Sequence, residues 1–128
     1  PPRSTLFPYT TLFRSAIGAL PVVEDGKLVG IITESDIFDA FISLMGLREA
    51  SSRVTLDIED RVGVLAEITQ LIKDRGVNIV TMATFCNHEA RHGELVLRLD
   101  TKDPGPLVKE FEARGYRVVH VAKWRERA

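Results

Sequence analysis

The chain has 128 residues, 45% of them hydrophobic, with 17 Lys and Arg against 18 Asp and Glu. That size suits one ordinary domain or two small ones; the near-neutral balance argues against a surface built for nucleic acid or anionic membrane, and no apolar run approaches the roughly 18 residues of a bilayer-spanning helix. A lone cysteine, Cys86, excludes an internal disulfide framework and points to a reducing, cytoplasmic setting.

Residues 1–15 stand apart. Ser4–Ser15 repeats Thr-Leu-Phe, lacks acidic residues and keeps no period of 2 or 3.6. The segment resembles translated sequencing-adapter sequence and is set aside from the fold as a scar would be. With Pro1 in first place, a fragment of a longer protein is expected.

Residues 16–48 read as one small unit. Leu20–Val23 is an expected strand, Asp25-Gly26 a hairpin turn, and Leu28–Ile32 a second strand, wholly apolar and therefore expected to be buried on both faces. A helix is expected from about Glu34 to Leu44, with Ile37, Phe38, Phe41, Ile42 and Met45 on its apolar side and Gly46 as its stop. A hairpin plus one helix is too small to bury a stable core alone.

The series Leu20-Pro21-Val22-Val23, Gly26–Thr33 and Asp36-Ile37 resembles the second half of a CBS domain. In nucleotide-binding members of that family, the matching threonine and aspartate touch phosphate and ribose. The resemblance carries that role to Thr33 and Asp36. The competing reading is a capping box at a helix start, which asks for the same residue types. The first half of the family's unit is not seen.

Residues 49–52 are expected to be a polar linker, and residues 53–125 a complete second unit. Strand 53–59 passes through a turn containing Asp60 and Gly63 into helix 64–75, where Val64, Leu65, Ile68, Leu71 and Ile72 recur at helical spacing and Gly76 can end the helix. A strand follows over Val77–Thr84, extending as far as Phe85, then a polar turn, Asn87–His92, closed by Gly93. Glu94–Leu99 is a strand with Leu95, Leu97 and Leu99 on one face. Asp103-Pro104-Gly105-Pro106 opens a second helix, with Leu107, Val108 and Phe111 inward and Gly115 as its stop, before a last strand over Tyr116–Trp124. The order βαββαβ is the ferredoxin-like pattern, so the fold class is α+β. Its second sheet face is expected to be open, with Thr55, Val96 and Val119 on it according to register, and to pair with another copy through that face or an edge.

The residues Asp60-Arg61-Val62-Gly63-Val64-Leu65 and Gly76-Val77-Asn78-Ile79 resemble an ACT domain, and the resemblance covers nearly all of residues 53–124. It implies an amino acid or similar effector held between two copies, at Asp60, Gly63 and Val64 on the first turn and Asn78 and Ile79 at the second strand. Members that recognise serine carry a polar side chain where Ile58 stands here, which argues against serine. Asp60 and Gly63 can equally be a helix cap and a turn residue. A CBS unit followed by an ACT unit resembles the C-terminal part of the acetoin-utilisation CBS–ACT proteins, implying a regulatory role towards some other protein.

Cys86, His88 and His92 hold the chain's metal-type ligands, and a metal-responsive module is the least favoured reading. His120 is expected at a surface or interface of the last strand. With no nucleophile–base pair, paired-carboxylate site or Walker-type loop, neither catalysis nor a cofactor is expected. A ligand-free oligomerisation module is the main alternative.

Overall fold

The computed structural model describes residues 18–127; the expectation for residues 1–15 lies outside them. The described chain forms two compact units, dividing after Leu44.

In the first unit, β1 (Ala19–Glu24) and β2 (Lys27–Thr33) form an antiparallel hairpin. Its turn has Asp25 and Gly26 at φ 51° and 76°, the two positive values of a type I′ turn. Helix α1 (Glu34–Leu44) follows with no buried residue. The expected burial of β2 on both faces is not met: Leu28, Val29 and Ile31 are 63%, 58% and 61% exposed. Two strands and one helix supply too few layers to enclose a strand.

The second unit is β3 (Ser51–Glu59), α2 (Val64–Asp74), β4 (Ile79–Asn87), β5 (His92–Leu99), α3 (Gly105–Ala113) and β6 (Arg117–Arg125). Its sheet order is β4-β5-β3-β6, all neighbours antiparallel, the ferredoxin-like βαββαβ arrangement. Alternation along β3 and β5 puts Val54, Leu56, Ile58, Leu95, Leu97 and Leu99 on one face. Those six are buried with Val64, Ile68, Leu71 and Ile72 of α2 and Leu107 and Phe111 of α3. The α2 quartet sits at i, i+4, i+7 and i+8, one stripe of a 3.6-residue helix. Both helices end alike. Val77 N–H donates to the Ile72 carbonyl and Gly76 N–H to that of Lys73; Tyr116 N–H donates to Phe111 and Gly115 N–H to Glu112. These are paired Schellman closures, and the second sets Tyr116 edge-on to Phe111 at 6.4 Å between centroids. Among the described residues no helix is long and apolar enough to cross a membrane.

Several boundaries differ from the sequence expectation. Strand β3 begins at Ser51, two residues early, because Ser52 pairs with Leu99 and its hydroxyl donates to the Thr101 carbonyl at 2.6 Å. Strand β4 runs from Ile79 to Asn87, starting two residues later than the expected Val77 and passing the expected end at Thr84 or Phe85. Gly93 does not close the turn; it lies inside β5, opposite Cys86. A Cβ there would fall 2.8 Å from the Cys86 Cα and Sγ and the Phe85 carbonyl, so the close strand approach is what requires glycine. Thr55 does sit on the outer face, between Val96 and His120 of the neighbouring strands, but is only 7% exposed. The register of β6 shifts next to Thr55, which is opposite His120 while Leu56 is opposite Val118; Val119 is the residue left between.

Candidate functional site

The turn from β3 into α2 carries the residues singled out from sequence. The Asp60 amide donates to the Arg91 carbonyl at 2.9 Å, which ties the turn to the β4–β5 connection. Gly63 is the helix N-cap at φ 88°, ψ −7°, a left-handed conformation that costs a side-chain-bearing residue about 1–2 kcal/mol. No side chain caps the helix. The capping reading of Asp60 is thereby corrected: its carboxylate instead lies 2.7 Å from Nδ1 of His88. At the start of helix α2 the Val64 N–H donates to the Arg61 carbonyl at 3.4 Å, and the turn keeps the partial positive charge of a helix start.

These features line a cleft of about 700 Å³ bounded by Ile58, Asp60, Gly63, Val64, Phe85 and His88, among others. Apolar Ile58, Val64, Leu65 and Phe85 share its lining with the Asp60 carboxylate, the His88 imidazole, Arg61 and the start of α2. Ile58, 2% exposed, belongs to the core as well as to this wall. Val62 at the turn's tip is fully exposed.

Asp60, Gly63 and Val64 are brought together; Asn78 and Ile79 are not brought to them within one chain. Ile79 is opposite Leu99, at the Ser52 end of the sheet, whereas Asp60 follows Glu59, which is opposite His92 at the other end. Asn78 and Ile79 line a separate recess of about 350 Å³ with Thr69 and Lys73 of α2. The Asn78 carbonyl accepts from the Asp100 amide at 2.9 Å.

Thr33 and Asp36 form a reciprocal capping box. The Asp36 carboxylate accepts from the Thr33 amide at 2.9 Å, and the Thr33 hydroxyl accepts from the Asp36 amide at 3.0 Å. The Thr33 backbone N–H, then its hydroxyl, hold the Asp36 carboxyl below its ordinary value.

The metal-type residues diverge. His88 meets Asp60, His92 Nδ1 lies 3.2 Å from Asp57, and Cys86 packs on Gly93. Among the described residues no three His, Cys, Asp or Glu side chains gather as a metal ion requires.

Sequence reasoning missed a second cleft, of about 620 Å³, on the other side of α2. There Arg61 donates twice to Glu67, at 3.1 and 2.6 Å, and the Tyr116 hydroxyl donates to the same carboxylate at 2.7 Å. The Arg61 bond first, then that of Tyr116, lowers the Glu67 carboxyl to about 2. Burial first, then Glu67, raises the Tyr116 hydroxyl. Tyr116 is 49 residues from Glu67, so no local spacing signals the contact.

The CBS domain matches residues 10–43. Among solved structures, the crystal structure of protein BT0572 from Bacteroides thetaiotaomicron is 18% identical, over 57% of this chain and 47% of that one, with a TM-score of 0.44. The chain thus spans about half the length of that protein. The ACT domain matches residues 52–115, half of the 128-residue chain, from β3 through α3 of the βαββαβ unit and ending before β6. CBS and ACT domains are typically regulatory, ligand-binding modules, and the chain belongs to the ACT domain family.

Proposed function

We propose that this chain is a non-catalytic regulatory module that binds an amino acid or similarly small zwitterion in the Asp60–Val64 cleft, as a homo-oligomer that acts on another protein. The observation that carries the reading is the N-terminus of α2, without a side-chain cap, beside the Asp60–His88 pair. A ligand carboxylate fits the N–H groups near Gly63, and a ligand amino group fits Asp60. The order of CBS and ACT matches supports placing the chain with the acetoin-utilisation CBS–ACT proteins.

A second copy completes the site in this reading. Strand β4 is a sheet edge, with Met82 and Phe85 43% and 58% exposed. If two copies pair antiparallel through β4, each start meets the partner's end. That brings Asn78 and Ile79 of one copy towards the Asp60 turn of the other, the ends they occupy being opposite within one chain. The Thr33–Asp36 cap leaves nucleotide binding in the first unit as a lesser proposal, since both side chains already serve the helix.

Thermal unfolding with each amino acid at millimolar concentration tests the proposal. A saturable rise that Asp60→Ala removes supports it. No rise with any amino acid, with oligomer mass unchanged by Asp60→Ala, favours instead a ligand-free oligomerisation module. The partner already supplied to Asp60 by His88 is the observation on that side.

A further inference from the structure

We propose that the outer face of the sheet, at its Ser51–Leu99 end, binds a small oxyanion, a carboxylate or phosphate group, among Arg53, Arg98 and Arg125. The site goes beyond the effector cleft and lies at the other end of the sheet from Asp60.

Register alone puts the three guanidinium groups together. Arg53 on β3 is directly opposite Arg98 on β5, and one rung away Ser51 is opposite Arg125 on β6. Like charges directly opposite oppose strand pairing, so this arrangement needs an external reason. Burial makes the need sharper. Arg98 is 8% exposed, and Nε of Arg53 is buried with no hydrogen-bond partner. Burial first, then the charges of Arg53 and Arg125, pulls the Arg98 guanidinium below its ordinary value.

Acids do lie at this end, Glu49, Asp100 and Glu126, but Glu49 is engaged by Arg127 and Glu126 by the Trp124 indole. Among the described residues, the ion pairs engage Arg61, Arg75, Arg114, Arg117, Arg127, His88 and His92, and none engages Arg53, Arg98 or Arg125. The acids of the same face, Asp57 opposite Glu94, are four residues along the strand, roughly 13 Å away. Asp57 is engaged there by His92 at 3.2 Å and Arg117 at 3.9 Å. An uncompensated buried cation is costly, whereas guanidinium forks bind oxyanions in a bidentate way. Neighbouring strands lie about 4.8 Å apart, so arms from β5, β3 and β6 can converge on one group. The low exposure of Arg98 limits the ligand to something small at the point of contact.

The test is thermal unfolding of the full chain in phosphate, in succinate and in chloride at matched ionic strength, repeated with Arg98→Met and Arg53→Met. The expected result is a saturable rise of at least about 4 °C in phosphate or succinate over chloride, lost in both variants. The arm with the larger rise names a phosphoryl or a carboxylate ligand. In chloride the variants should be no less stable than the parent, since each removes a like-charge contact. If neither variant folds, the 31P line width of phosphate titrated with the parent chain decides: broadening that succinate or excess phosphate reverses supports the site, and an unchanged line overturns it. Equal responses in phosphate, succinate and chloride also overturn it, as does a rise that both variants retain. A dimer in chloride that Arg98→Met or high salt dissociates, with no specific anion effect, assigns the arginines to a second copy's Asp57 and Glu94 and overturns the small-ligand proposal.

Discussion

The chain passes from strand into helix at Thr33–Asp36 and again at Glu59–Val64, and the two junctions are built on opposite principles. At the first, side chains satisfy the helix start in both directions, through two bonds of 2.9 and 3.0 Å. At the second, a left-handed glycine holds the N-cap position and no side chain caps the helix. The helices that follow differ in the reverse sense. The capped α1 buries nothing, while the uncapped α2 buries Val64, Ile68, Leu71 and Ile72. A helix anchored by its packing can leave its N-terminal N–H groups open for a ligand. A helix without packing depends on its cap.

The largest expected effect tests the packing side of this contrast. Phe111→Ala should cost about 3–5 kcal/mol, since Phe111 is 0% exposed, while Phe41→Ala in α1, at 60% exposed, should stay within about 1 kcal/mol. Chemical denaturation followed with a probe on each unit measures both, and comparable losses would break the contrast. Next comes Gly63→Ala. Nothing lies within 4 Å of the added Cβ, so its cost of about 1–2 kcal/mol is purely that of the left-handed backbone. A neutral result in the same denaturation assay would remove the case for a strained turn. Thr33→Ala should weaken α1 by about 1 kcal/mol, read as faster amide exchange over Ile37–Leu44. Asp60→Ala should leave exchange in α2 within about 0.5 kcal/mol of the parent, because Asp60 faces His88 and not the helix.

The smallest effect concerns pH. The Glu67 carboxyl is held at about 2 against an ordinary 4.5, chiefly by Arg61. A carboxyl held low contributes stability above its ordinary value and loses it as pH falls through the folded value, so the tie between α2 and Tyr116 should weaken between pH 4.5 and about 2. Arg61→Gln should move the Glu67 midpoint upward in a side-chain NMR titration; an unmoved midpoint would assign the shift to Tyr116 instead.

Much of the architecture was legible because its signals are local. Leu95, Leu97 and Leu99 alternate, Val64, Ile68, Leu71 and Ile72 share one helical stripe, and Gly76 and Gly115 stop helices whose closures the structure shows. The errors have a common origin in contacts between distant segments. Gly93 looked like turn chemistry and is a close approach to Cys86; Asp60 looked like a cap and meets a histidine 28 residues away.

The sequence by itself determined the order of elements, their faces and the turn where a ligand would be sought, since periodicity and cap chemistry act over a few residues. Only the tertiary structure decided that Asp60 and Asn78 stand at opposite ends of one sheet, that Tyr116 reaches Glu67, and that three arginines share a half-buried face. Strand register decides each of these, and register is set by the packed core as a whole, because a slip of one residue would turn every leucine of β5 out of it.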